Sequence, residues 1–147
     1  MRLKICTEVA ASHLKVKEGF SEKLFLSLNP PFPPVRLEKF DGCEKGDEVH
    51  LELNFLLFKQ RWHSDITFDF TNDKTFQFID IGVKLPFFLK RWHHHHIVNR
   101  IDDATSEIID DITYSSPLWL LDFLLYPALY LQFLYRKPIY RKIFNKR

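Results

Sequence analysis

Four consecutive histidines, His93 to His96, follow Trp92 in the last third of the chain, and Asp110-x-x-x-Tyr114-x-x-Pro117 comes soon after. Imidazole changes charge closest to neutral pH and is a common metal ligand. A histidine run near a carboxylate therefore suggests acid–base chemistry, a ligand anchor or a metal site. Strand geometry thins the set, because successive side chains of an extended chain point to opposite faces. His94 and His96 share a face with Trp92 and Val98, while His93 and His95 point the other way. All four cannot converge on one ion. Two histidines on one face with one carboxylate could hold zinc or iron, but no further ligand is evident. The expectation is no metal and no cofactor.

On the following segment Ile108, Asp110, Ile112 and Tyr114 share a face. If the two apolar sets meet, Val98 pairs with Ile108, His96 with Asp110 and His94 with Ile112. A slip of one residue would present Asp111 instead. In the first register His96 and Asp110 form a polar couple among aromatics. It reads as an anchor for a polar group on a ligand, as a general acid–base pair, or as a core histidine satisfied by a carboxylate. The anchor is the working expectation, with no catalytic residue assigned.

Other chemical signatures are missing from the sequence. The glycines, Gly19, Gly42, Gly46 and Gly82, are not spaced for a phosphate loop or a dinucleotide fingerprint. There is no GxSxG nucleophile turn. Cys6 and Cys43 lie far apart and form no CxxC, which fits two reduced thiols. The first residues carry charges that interrupt any signal-peptide core, so a cytoplasmic location is expected. Lys and Arg number 21 against 19 Asp and Glu, a balance that argues against a nucleic-acid surface. Arg136, Lys137, Arg141, Lys142, Lys146 and Arg147 nevertheless crowd the C-terminus. That cluster reads as a solvated helix end, with contact to an anionic membrane surface as the other reading.

The elements that must position the histidines can be traced by periodicity. At 147 residues the default is a single domain, 1–147. Its 46% hydrophobic content, with 15 Phe, is ample for a core or a cavity wall. Leu3 to Val9 reads as a strand. Ser12 can cap a helical stretch in which Val16, Phe20, Leu24 and Leu28 recur on one face, divided at Gly19. Asn29 to Pro34 ends it, since proline cannot continue a helix. Alternating segments follow: Val35–Phe40, then Val49 to Leu57, then Trp62, Ile66, Phe68 and Phe70 on one face, Thr75–Gly82, and a hairpin over 86–100 and 107–115. That makes seven strands in all. Ser116-Pro117 then reads as a helix start, and Leu118 to Tyr135 is apolar nearly all round, as in a buried helix. Asp122 and Pro127 interrupt it, and it is short of the roughly 20 residues that span a bilayer.

These features resemble the START-like, or SRPBCC, superfamily. Within it the chain is similar to bacterial proteins labelled cell-division-inhibitor-like. The pattern is Arg61-Trp62, Ile66, Phe78-x-Asp80, Pro86, Trp92-x-His94-x-His96, then Asp110-x-x-x-Tyr114-x-x-Pro117, with Pro30-Pro31 after a helix and the Gly46-Asp47 turn upstream. The resemblance implies an α+β helix-grip fold: a seven-stranded antiparallel sheet curled round a long C-terminal helix, with two short helices after the first strand. It also implies a hydrophobic cavity and a small hydrophobic or lipid-like ligand. In that frame Trp62, Phe68, Trp92, Tyr114, Phe123, Tyr126 and Tyr130 line the cavity, while His94, His96 and Asp110 orient the ligand's polar group. The rivals are a cyclase- or dehydratase-type enzyme using the His96–Asp110 pair, and a lipid-transfer module at a membrane surface.

Overall fold

A computed structural model describes residues 1–146. Arg147, the last member of the basic cluster, lies outside the described residues. The order is β1 (Arg2–Val9), α1 (His13–Gly19), α2 (Glu22–Ser27), β2 (Val35–Phe40), β3 (Glu48–Asn54), β4 (Lys59–Thr71), β5 (Thr75–Lys84), β6 (Arg91–Arg100), β7 (Ser106–Ser115) and α3 (Trp119–Phe144). The strands form one antiparallel sheet in the order β1-β7-β6-β5-β4-β3-β2. With α1 and α2 after the first strand and α3 at the end, this is the expected α+β helix-grip arrangement.

Local chemistry explains several boundaries. The Ser12 hydroxyl accepts from Lys15 N–H and opens α1, and the Ser21 hydroxyl accepts from Leu24 N–H and opens α2. β3 stops at Asn54, three residues before the expected Leu57. The Asn54 carboxamide accepts the Leu56 N–H at 3.0 Å, and Leu56 sits at φ 69°. That side-chain turn breaks the alternation and throws Leu56 and Leu57 into solvent, 80% and 95% exposed.

β4 carries a second break. Its pairing with β5 shifts between Ile66 and Phe68, so Ile66 faces Asp80 but Phe68 faces Ile79. A bulge inserts one residue and inverts the alternation beyond it. Ser64 and Ile66 point inward and are buried, whereas Phe68 and Phe70 turn to the outer face and are exposed.

The long helix also differs from the expectation. It begins at Trp119, behind Leu118, rather than at Ser116-Pro117, because the Ser116 N–H donates to Asp122 Oδ1 at 2.6 Å and holds that corner extended. It continues through Pro127 and Pro138 to Phe144. It is not buried all round. Phe133, Tyr140 and Phe144 are its buried residues, while Trp119, Leu120, Phe123 and Leu124 are exposed. α3 packs mainly on β1 and β7, at one edge of the sheet. One apolar cluster joins α1, α2 and the end of α3 (Val16, Leu24, Tyr140, Phe144) to Phe76, Phe78 and Val98. A second gathers Leu3, Ile5, Trp92, Ile112, Tyr114 and Phe133. No helix among the described residues is long and apolar enough to cross a membrane.

Candidate functional site

A cavity of about 570 Å³ lies between the inner face of β2–β6, α2 and its following proline segment, and α3. Leu24 and Phe25 of α2, Leu51 and Leu53 of β3, Trp62 and Ile66 of β4, and Leu125, Leu129 and Phe133 of α3 supply apolar wall. Pro30, Pro31 and Pro33 of that segment, each with φ set by its ring, form one side of the cavity. Against this apolar wall stands a cluster of ionisable groups: Asp80, His94, His96 and Arg136 all border the cavity.

Register puts that group together. β6 pairs with β7 so that Val98 faces Ile108, His96 faces Asp110 and His94 faces Ile112, and with β5 so that His94 faces Asp80 and His96 faces Phe78. The hydrogen bonds run partly on the diagonal, as long side chains allow. His94 Nε2 lies 2.9 Å from Asp110 Oδ1, and His94 Nδ1 lies 3.4 Å from Asp80 Oδ2. His96 Nε2 lies 3.3 Å from Asp80 Oδ2. The expected His96–Asp110 couple faces across the strands but is not hydrogen-bonded, with His96 Nδ1 3.7 Å from Asp110 Oδ1. Imidazole planes fix the outcome: the His94 and His96 rings lie 3.5 Å apart, and His96 stacks on Phe78 at 4.1 Å. So oriented, His94 reaches Asp110 and His96 reaches Asp80.

The electrostatics follow from burial and pairing. Burial opposes charge on Asp80, yet hydrogen bonds from His94 and His96 hold its carboxyl well below the usual range. Asp110 is likewise lowered against its burial, by the His94 hydrogen bond and by the charges of His94 and Arg136. His94 is raised against its own burial by hydrogen bonds to Asp110 and Asp80. Burial and the neighbouring His94 push His96 down to about 4. Asp80 and Asp110 are thus favoured as carboxylates and His96 as the neutral imidazole, with the Arg136 guanidinium beside Asp110. Trp92 Nε1–H donates to Asp80 Oδ1 at 3.1 Å and fixes the turn of that carboxylate.

Four residues expected at the site do border the cavity: Trp62, Trp92, His94 and His96. Asp110 stands behind the histidines, fully buried. Tyr114 is also buried away from the cavity, its hydroxyl donating to the Asp122 carbonyl at 2.7 Å. Phe68 is on the outer face because of the β4 bulge. Phe123, Tyr126 and Tyr130 do not border the cavity: Phe123 and Tyr130 are exposed, and Tyr126 packs against the Trp92–Phe133 cluster. The cause is helical phase, since Leu125, Ala128, Leu129 and Gln132 present the cavity face of α3.

Two site residues were not expected from the pattern of side chains. Asp80 was visible in Phe78-x-Asp80, on the face of Phe76 and Phe78, where a lone inward carboxylate calls for partners. Arg136 was counted with the basic terminal run. It instead turns inward, 3.9 Å from Asp110, with its guanidinium 4.1 Å above the Phe133 ring. The i to i+3 step from Phe133 was the available signal.

No protein-family model matches the sequence, and no curated protein matches it. Solved structures do. CV1439 from Chromobacterium violaceum superposes with a TM-score of 0.70 at 8% identity, covering 99% of this chain and 98% of that one. The ZhuI aromatase/cyclase from Streptomyces sp. R1128 gives 0.61 at 13% identity, over 80% of this chain and 69% of its own. A norcoclaurine synthase from Thalictrum flavum gives 0.58 at 15% identity, over 86% and 82%. Their names do not bear on the narrower likeness to cell-division-inhibitor-like proteins. At these identities the likeness is one of fold: the chain has the helix-grip fold of START-like, or SRPBCC, proteins.

Proposed function

We propose that the chain is a single ligand-binding domain that holds one small hydrophobic or lipid-like molecule between α3 and the sheet. The observation that carries this reading is the 570 Å³ cavity with an apolar wall and one polar cluster. That volume suits a drug-sized organic molecule, and a few convergent polar groups in an apolar wall are how such sites fix orientation. His94, His96 and Asp80 orient the polar end of the ligand, and Trp62, Trp92, Leu51 and Leu129 contact its body. Native mass spectrometry of protein purified from its own host without detergent, followed by displacement of an environment-sensitive apolar dye, tests the reading. The expected result is one bound molecule per chain, and dye binding lost in Leu51→Trp, which fills the cavity. Absence of any bound molecule, with dye uptake equal in wild type and Leu51→Trp, refutes it.

Exposed apolar residues next to the lining favour loading at a membrane surface. Leu56 and Leu57 follow the lining residue Phe55, Phe87 precedes Phe88, and Leu124 precedes Leu125. Phe58 and Phe87 join two of these loops, 5.8 Å apart. The basic end of α3, with Lys137, Arg141 and Lys142, adds charge that suits anionic headgroups. Cosedimentation with anionic vesicles is expected at low salt, reduced in 0.5 M salt and in Leu57→Ser/Phe87→Ser. Equal recovery with neutral and anionic vesicles, unchanged by the double variant, counts against it.

A further inference from the structure

Three potential ligand atoms in the polar cluster face a common space. Asp80 Oδ2 lies 3.4 Å from His94 Nδ1 and 3.3 Å from His96 Nε2, and one ligand atom from each of the three residues lies within 4.8 Å of the others. Two ligand atoms each about 2.1 Å from a tetrahedral ion stand about 3.4 Å apart. Charge-assisted hydrogen bonds to a carboxylate are usually shorter, about 2.7–2.9 Å. The His94–Asp110 contact, at 2.9 Å, has that shorter length. Within one cluster, then, one histidine–carboxylate contact is short, while the two to Asp80 are long, weak hydrogen bonds whose spacing is also that of atoms sharing an ion.

The surroundings are built for that role. Asp80 faces the inner nitrogens of both histidines, and Asp110 faces the outer ones. Asp110 takes the His94 Nε2–H, which leaves the Nδ1 lone pair free to ligate, the carboxylate–histidine–metal arrangement that fixes ring and tautomer. His96 Nδ1 is buried without a hydrogen-bond partner among the described residues, 3.7 Å from the same Asp110 oxygen. Trp92 occupies Asp80 Oδ1 and leaves Oδ2 toward the imidazoles. All three residues border the cavity.

We propose that Asp80, His94 and His96 bind a divalent first-row transition ion, zinc or ferrous iron, with an open coordination position toward the cavity. Two histidines and one carboxylate are a donor set that both ions accept. The site departs from the metal-free expectation because its carboxylate, Asp80, comes from β5, outside the hairpin that carries the histidines. The proposal does not depend on an organic ligand. If the ligand-binding reading also holds, the ligand's polar end meets the ion.

The test uses metal alone. A background chain with His50, His63, His93 and His95 changed to Gln removes exposed or half-buried imidazoles outside the cluster. Chelator-treated protein is titrated with Zn²⁺ by calorimetry and with Co²⁺ by visible absorption, and the zinc complex is examined by X-ray absorption. The expected result is one ion per chain with micromolar or tighter affinity, and a zinc shell containing two imidazole nitrogens and a carboxylate oxygen. Asp80→Asn and His96→Gln should each weaken binding at least a hundredfold. Asp110→Asn should weaken it roughly 10–100-fold, the usual effect of losing a partner behind a ligand. Binding no tighter than millimolar, or binding unchanged in both Asp80→Asn and His96→Gln, overturns the proposal. Should those variants fail to fold, fewer than two imidazoles in the zinc shell of the background chain overturns it instead.

Discussion

Replacing Asp110 by Asn removes a full negative charge from a place that water cannot reach. Asp110 is 1% exposed, and Arg136, its guanidinium partner 3.9 Å away, is 13% exposed. At that distance a unit ion pair is worth about 4 kcal/mol at an effective dielectric near 20, an upper figure that imperfect geometry reduces. Asn keeps an acceptor for the His94 N–H, so that bond survives in neutral form. A hydrogen bond to a charged group is worth roughly 1.5–3 kcal/mol and a neutral one about 1. Losing that increment and leaving Arg136 without its carboxylate should destabilise the fold by about 2–4 kcal/mol, at the lower edge of the loss from breaking a buried pair. Arg136→Met removes the stranded cation, so Asp110→Asn should cost about 1–3 kcal/mol less in that background. Urea denaturation at pH 7 with a chelator present measures all four corners, provided the m-value stays constant. A cost below about 1 kcal/mol for Asp110→Asn, or one that Arg136→Met leaves unchanged, refutes the claim that Asp110 balances buried cations.

Two further outcomes are expected. Burial pushes the Cys43 thiol up to about 12, so at pH 8 it is almost wholly protonated and should be alkylated by iodoacetamide roughly a thousandfold more slowly than an ordinary thiol; peptide mass spectrometry that finds Cys43 within tenfold of its rate in urea contradicts this. Phe68→Ser should leave ligand affinity within twofold, because the β4 bulge turns that ring outward, whereas Trp62→Ala should weaken binding at least tenfold; equal losses in the two variants would contradict the assigned faces.

The β6–β7 hairpin was legible because Trp92 and Val98 share one face of its first strand and Ile108, Ile112 and Tyr114 one face of its second. Matching Val98 with Ile108, rather than the one-residue slip that would present Asp111, gives the register observed, and that register carries His94, His96 and Asp110 to the inner face. The hydrogen bonds within it were not legible, since they depend on ring rotation and on a third strand. Asp80 meets the histidines through the β5–β6 register, and its two oxygens are divided between Trp92 and the imidazoles. β4 misled for a different reason. Trp62, Ile66, Phe68 and Phe70 all fall on even steps of one strand pattern, and the bulge that separates Phe68 from Ile66 carries no glycine or proline to mark it. On α3 a segment apolar on every side gave no phase, so Leu125, Leu129 and Phe133 at the cavity could not be told from Phe123, Tyr126 and Tyr130 away from it.

Stability alone is a poor reason for the polar cluster. Buried ion pairs gain back little more than their desolvation, and well-packed apolar residues of similar volume often serve a fold as well or better. Here two carboxylates, two imidazoles and a guanidinium interrupt a wall made largely of Leu, Phe and Trp. The interruption is also lopsided. Asp80, His94, His96 and Arg136 reach the cavity, while Asp110 stands behind them, bonded to His94 and facing the outer nitrogen of His96 and the Arg136 guanidinium. A cluster that served only the core would need no open side. One carboxylate buttressing from behind, with donors and acceptors turned forward into an apolar space, is the layout needed to hold something polar at the end of something greasy. Ligand anchor and metal site both use that layout, and both depend on Asp110 keeping the imidazoles where they are.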